Sequence, residues 1–189
     1  MPASDNRPLF FMHKLSMAEL DRLSPEEFRA APKTPLVVML EDIRSAANVG
    51  SVFRTADAFR LEGVLLTGIT AKPPHKEILK TALGATDTVA WRYAQTSLEG
   101  LQMLIDEGYE LWAVEQAKGS TYLHEFTIDP SRKYALILGN EVEGVSQTVL
   151  AMVKGCIEVP QMGAKHSLNV SVCAGVVAWR FFERLMLEV

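Results

Sequence analysis

Along the 189-residue chain, short apolar runs alternate with segments whose apolar residues recur every three or four positions. Leu36–Leu40 is an unbroken apolar run, the pattern of a strand buried on both faces. Val49–Arg60 then reads as a helix, Val64–Thr67 as a strand and Pro74–Leu83 as a basic helix. Val89–Tyr93 follows as a strand and Ser97–Glu107 as a helix closed by Gly108. Glu110–Val114, Tyr134–Leu138 and Cys156–Val159 read as further strands, and Ser146–Val153 and Asn169–Leu187 as helices. This alternation predicts an α/β fold, a three-layer arrangement around a mostly parallel sheet. Residues 1–34 form a separate arm: Ser16…Glu19 and Ser24-Pro25-Glu26-Glu27 are capping boxes, so two short helices are expected before Pro32 and Pro35. Residues 35–189 are expected to make one domain. The final helix carries no charge from Val170 to Trp179 and is apolar on nearly every side, the pattern of a helix buried all round. Its own sheet and loops could cover it, or a second subunit; at the end of a chain of this size the dimer is favoured.

Composition adds limits. With 48% hydrophobic and 22% charged residues the chain is globular. Its net charge of −4 means that any phosphate binding must come from local clusters. The densest is Lys72, His75, Lys76 and Lys80, with Arg44 and Lys165 as neighbours; it reads equally as a solvated helix face beside Glu77 or as an RNA-contacting face. The arm carries Arg7, His13, Lys14, Arg22, Arg29 and Lys33 against Asp21, Glu26 and Glu27, and reads as a solvated face. Leu9–Met12 is too short for a signal peptide, and no stretch has the ~18 uncharged apolar residues of a membrane span, so a cytoplasmic protein is expected. Cys156 and Cys173 sit in apolar contexts without ligand spacing, which suggests reduced, buried thiols and no metal site. Trp91, Tyr93 and Trp112 lie in or beside strands, as core residues do.

Three strand–loop–helix stretches carry the candidate chemistry. In the first, Val49, Val52, Phe53 and Ala56 make the sheet-facing stripe, while Arg54 falls away from it, close in angle to Gly50. An arginine beside a glycine near the C-terminal end of a strand suits a phosphate or ribose site; alternatively, Arg54 is a surface residue paired with Asp57. In the second, Gly139-Asn140-Glu141 sets a carboxylate after a strand, two glycines permit a tight turn, and Ser146 can cap the next helix. In the third, a Gly/Pro loop leads into a helix with Ser167 as candidate N-cap and Asn169 in its first turn, a geometry that presents N–H groups to an anionic or polar ligand. No Gly-x-Gly-x-x-Gly follows any strand, which argues against a nicotinamide site.

Asn48-x-Gly50-x-x-x-Arg54-Thr55-Ala56, Gly139-x-Glu141-x-x-Gly144 and Pro160-x-x-Gly163-x-x-x-Ser167-Leu168-Asn169-Val170-Ser171, in that order, resemble the three motifs of the SpoU branch of the SPOUT methyltransferases. These are RNA 2′-O-ribose methylases that use S-adenosylmethionine. Gln161 departs from the usual methionine, and Lys165-His166 lies in a segment the family varies. The resemblance implies that Gly139, Val159 and Leu168 line the S-adenosylmethionine site, largely through backbone. It places Asn48, Arg54, Glu141, Ser167 and Asn169 around the reacting ribose of a tRNA or rRNA substrate. It also implies a homodimer and a C-terminal trefoil knot. Arginine stays protonated in proteins, so Arg54 is read as a phosphate clamp that stabilises a developing alkoxide rather than as a base. Two alternatives are a non-catalytic RNA-binding dimer of the same fold and a SPOUT enzyme that methylates a base.

Overall fold

The computed structural model describes residues 13–16, 18–20, 22–164 and 167–188. Arg7, Asp21, Lys165 and His166, named above, lie outside them. Seven strands form one parallel sheet: β1 (Thr34–Glu41), β2 (Leu61–Thr67), β3 (Trp91–Ala94), β4 (Tyr109–Val114), β5 (Thr121–Tyr122), β6 (Lys133–Leu138) and β7 (Cys156–Glu158). Their order across the sheet is β3-β2-β1-β6-β4-β7-β5, every neighbouring pair parallel. The helices are α1 (Pro25–Ala30), α2 (Ala46–Ala58), α3 (Lys76–Ala82), α4 (Ala85–Thr88), α5 (Ser97–Asp106), α6 (Gln147–Leu150) and α7 (Val170–Phe182).

The strict alternation of side chains along a strand divides the core in two. Leu36, Val38 and Leu40 of β1, with Tyr134, Leu136 and Leu138 of β6, face a layer built from α2, α3, α4 and α7. Val37, Met39, Ala135 and Ile137 face the opposite layer, where Leu101 and Leu104 of α5 and Val149 of α6 close over them. The three-layer expectation therefore holds, with both central strands buried on each face. α2 buries Val49, Val52, Phe53 and Ala56, the stripe read from sequence.

Some boundaries differ. β1 starts at Thr34, before Pro35, and its register against β2 is irregular between Thr34 and Val37. The helix expected over Ser146–Val153 is the four-residue α6, capped by Ser146 as anticipated. α7 ends at Phe182 and continues as a π-helical turn over Glu183–Leu187. The Ser24 capping box is present, Ser24 N donating to the Glu27 carboxylate and Glu27 N to Ser24 Oγ at 3.3 Å. At Ser16 the box is incomplete, since Ser16 N and Oγ both donate to Glu19 while Glu19 N donates to Ser16 O. Phe28 of α1 is buried in the main core, so this part of the arm packs against the sheet domain. β7, the last strand in sequence, is inserted between β4 and β5, which are consecutive in the chain.

Candidate active site

Because all strands run parallel, the loops after β1, β6 and β7 emerge at the same end of the sheet. That carboxyl edge is where open α/β sheets bind ligands. Here the three motif stretches meet. The Glu141 carboxylate accepts hydrogen bonds from Arg44 N (2.9 Å), Ser45 N (3.0 Å) and Asn48 Nδ2 (3.0 Å). Partial burial pushes its pKa up, but these donors outweigh that effect and hold it below the ordinary 4.5.

A carboxylate can only accept, so Glu141 fixes which way the Asn48 amide faces. Its nitrogen is committed to Glu141, and Oδ1 is turned outward, where it accepts from Asn169 Nδ2 at 3.1 Å. Asn169 Oδ1 is thereby directed at the start of α7, accepting from Ser171 N (2.9 Å), Ser171 Oγ (2.7 Å) and Val172 N (3.4 Å). The cap of α7 is Asn169; Ser167, expected in that role, is exposed two residues upstream. Glu141, Asn48 and Asn169 thus form one directional line across the three loops.

The loop after β6 is pinned at both ends to the end of β1. Asn140 Nδ2 donates to Asp42 O at 2.7 Å, and Ser146 donates through N (3.0 Å) and Oγ (2.6 Å) to the buried Glu41 carboxylate. Between these anchors the chain folds back so tightly that a Cβ on Gly139 would stand 2.2 Å from Gly144 C and Val145 N. Gly144 adopts φ +71°, a conformation open to glycine. The turn is braced by Glu115, at the end of β4, which accepts from Val145 N at 2.9 Å. Sequence reasoning passed over Glu115: a lone carboxylate after a strand carries no spacing signal, and its partner lies 30 residues on.

A cavity of about 580 Å³ opens beside this loop, lined by Gly139, Val159 and Leu168 together with Glu141, Ser167, Val170 and Cys173. The three residues read as cofactor-binding therefore share one cavity, as do two of the five assigned to the ribose. The Cys173 thiol is pushed up to about 11 by burial and by the nearby Glu115 charge. Both cysteines are half-buried rather than buried.

Arg54 stands elsewhere. Six residues beyond Asn48 on α2, it lines a neighbouring groove of about 950 Å³ between α2, α3 and α7. Asp57, the alternative partner, instead accepts from Thr88 Oγ1 at 2.6 Å. Arg54 makes no hydrogen bond or ion pair among the described residues. The space expected beside Gly50 is filled by α3: a Cβ there would meet Thr81 Oγ1 at 2.0 Å and Ile78 O at 2.4 Å. α7 is the wall between the two cavities, with Val170 and Cys173 facing one and Val172, Gly175, Val176 and Trp179 the other.

A family model described as SpoU rRNA Methylase matches residues 35–179. The chain belongs to the SpoU rRNA methylase family. The tRNA (guanosine(18)-2′-O)-methyltransferase of Thermus thermophilus is 29% identical over 160 residues, 84% of this chain and 80% of that protein. An uncharacterized tRNA/rRNA methyltransferase of Synechocystis sp. is 29% identical over 149 residues, 78% of this SpoU chain but 53% of its relative. The chain spans 53–65% of the length of several such curated relatives. Among solved structures, the S-adenosylmethionine-bound rRNA methyltransferase from Sinorhizobium meliloti gives a TM-score of 0.75 at 26% identity, over 87% of this chain and 62% of that one. Its likeness supports the fold described above.

Proposed function

We propose that this SpoU family chain catalyses S-adenosylmethionine-dependent methyl transfer to a ribose 2′-hydroxyl of tRNA or rRNA. The observation that carries the reading is the fixed line Glu141–Asn48–Asn169, whose Glu141 end lines the cavity of Gly139, Val159 and Leu168. The Thermus relative, by its name, methylates a tRNA ribose.

The cavity suits the cofactor. Its volume lies in the range of small-molecule sites, about 300–1,000 Å³, and its walls combine apolar Leu138, Val159 and Leu168 with the folded-back 139–145 backbone. Gly139, Val159 and Leu168 would hold the cofactor there. When bound, S-adenosylmethionine supplies a methyl group activated on sulfonium. The protein's own contribution is alignment and charge. Asn48 and Asn169 are locked in orientation by the Glu141 carboxylate. Ser167 stands exposed at the cavity with its hydroxyl available to a sugar. Arg54, permanently charged but set in the groove on the other face of α7, acts across the subunit boundary of a dimer, holding a backbone phosphate and stabilising the alkoxide as the 2′-hydroxyl loses its proton.

The same reading makes the chain a homodimer. Val172, Val176 and Trp179 recur along α7 yet are 53%, 40% and 46% exposed, an apolar stripe that its own sheet leaves bare. A second copy covering the stripe brings Arg54, in the same groove, to the subunit boundary. The insertion of β7 between β4 and β5 supports a threaded C-terminal segment.

The test is calorimetric titration with S-adenosylmethionine, followed by methylation of tRNA and rRNA transcripts and nucleoside analysis of the digested product. A 2′-O-methylated nucleoside is expected; a base-methylated one moves the chain to the other SPOUT branch. Failure to bind the cofactor favours the non-catalytic dimer. Arg54→Ala should keep cofactor affinity and lose methyl transfer by about 100-fold or more; near-normal turnover in that variant removes Arg54 from the site.

A further inference from the structure

The groove that holds Arg54 has a second cation across from it. Lys80, on α3, lines the same groove, and no carboxylate does. In a chain of net charge −4 that is a local concentration of positive charge facing no acid. Lys80 is exposed and, like Arg54, makes no hydrogen bond or ion pair among the described residues. Two of the groove's hydroxyls are already engaged with backbone. Ser51 Oγ donates to Ala47 O at 3.0 Å, and Thr81 Oγ1 lies at the same distance from Ala47 O and Glu77 O. The strongest feature left for an incoming group is the pair of positive charges.

The positive face does not stop at the groove. Lys76 lies one turn before Lys80 on the same helix, and both are exposed. Lys72 precedes them with its ammonium 3.7 Å from the centre of the Tyr93 ring. Glu77 is the one acidic residue of α3 and is half-buried. A row of lysines leading to an arginine suits a polyanionic backbone read by charge rather than by base.

We propose that Lys80 is a second RNA phosphate contact beside Arg54. The face from Lys72, just before α3, to Lys80 carries the RNA strand to the site, while the α7 wall of the groove takes the second copy. The proposal rests on the reading of this chain as an RNA methyltransferase and names the surface that receives the substrate. It separates the two walls of one groove by chemistry: lysines on α3 for phosphate, Val172, Val176 and Trp179 on α7 for protein.

The experiment measures binding of pooled tRNA and rRNA transcripts by fluorescence anisotropy between about 50 and 200 mM salt. It compares wild type, Lys80→Ala, Lys80→Arg and the Lys76→Ala/Lys80→Ala double variant. Each lost lysine should weaken binding several-fold and reduce the slope of log affinity against log salt by about 0.7–0.9. Lys80→Arg should restore both. S-adenosylmethionine affinity should not move, and in turnover the effect should fall on KM rather than kcat. A wild-type salt slope in Lys80→Ala overturns the proposal, as does conversion of a dimer to monomers by that substitution, since α3 would then belong to the subunit interface. If wild type neither binds the cofactor nor methylates any transcript, the parent reading fails. If wild type methylates and the lysine variants match it in slope, the α3 surface fails alone.

Discussion

Asn169 performs two tasks with one amide, and exchanging it for aspartate or alanine separates them. Its oxygen caps α7; its nitrogen donates to Asn48 Oδ1. Alanine removes both. Loss of an N-cap costs about 1 kcal/mol, within a range of about 0.5–2, and a chain of this size loses about 2–4 °C in Tm for each kcal/mol. Aspartate keeps the capping oxygen and adds a negative charge at the start of α7, worth about 0.3–1 kcal/mol in stability. Against that, it sets an acceptor opposite Asn48 Oδ1, where a donor stood at 3.1 Å. The lost bond costs about 0.5–1.5 kcal/mol. Asn48 cannot turn its amide to relieve the clash, because its oxygen would then face the Glu141 carboxylate at the 3.0 Å now spanned by its nitrogen.

Asn169→Asp should therefore melt within about 2 °C of wild type, whereas Asn169→Ala, which loses about 1 kcal/mol of cap and about 1 kcal/mol of hydrogen bond, falls by about 4–8 °C. Both should lose methyl transfer by about tenfold, the cost of releasing one orienting hydrogen bond of about 1.4 kcal/mol. Calorimetric Tm values and initial rates with labelled cofactor give the two readings. Wild-type turnover in Asn169→Asp would show that the directional line plays no part in catalysis. Equal destabilisation of the two variants would show that the cap was misassigned.

Gly50→Ala should destabilise the fold by about 1–3 kcal/mol through overpacking, because the new methyl meets Ile78 backbone as well as Thr81; a denaturant midpoint that does not move would refute the close α2–α3 crossing. Glu141 has a folded pKa below its unfolded 4.5, so its contribution is complete above that value and is lost as pH falls through the lowered one. The stability gap between wild type and Glu141→Gln, at most about 1 kcal/mol for so exposed a group, should narrow steadily as pH falls below 4.5; a gap that stays constant through the acid range contradicts the assignment. Val176→Glu should leave α7 folded and give monomers in light scattering, and an unchanged dimer would place the interface elsewhere.

The strands legible from sequence were those for which burial on both faces leaves one pattern, such as Leu36–Leu40. What escaped depended on partners distant in the chain. β5 is two residues long and exists because β7 pairs with it from 36 positions later, Thr121 against Ile157. Pro35 suggested a strand starting after it, yet β1 accommodates it: the pairing with β6 begins at Leu36, and the register with β2 is broken around it. Gly50 posed a question sequence could not answer, since a missing side chain can admit a ligand or another helix; α3 occupies the space. The site residues were legible as members of motifs, but their division between two cavities was not. That division depends on which face of α7 each loop meets.

From Val170 to Trp179 α7 lacks charge for a reason that ties these observations together. Ala174, Val177, Ala178 and Phe181 are packed into the sheet domain, Val170 and Cys173 line the proposed cofactor cavity, and Val172, Val176 and Trp179 line the groove. In the proposed dimer a second copy covers the α7 wall of the groove and leaves no sector for water. On the proposed reading, charge is excluded because one helix serves as core, cavity wall and interface at once. Its first turn is held by Asn169, which also closes the line from Glu141. Whatever covers Val172 and Val176 therefore bears on the helix whose first turn orders Asn48 and borders the cavity, so the proposed assembly and the ordering of the site share a single structural element.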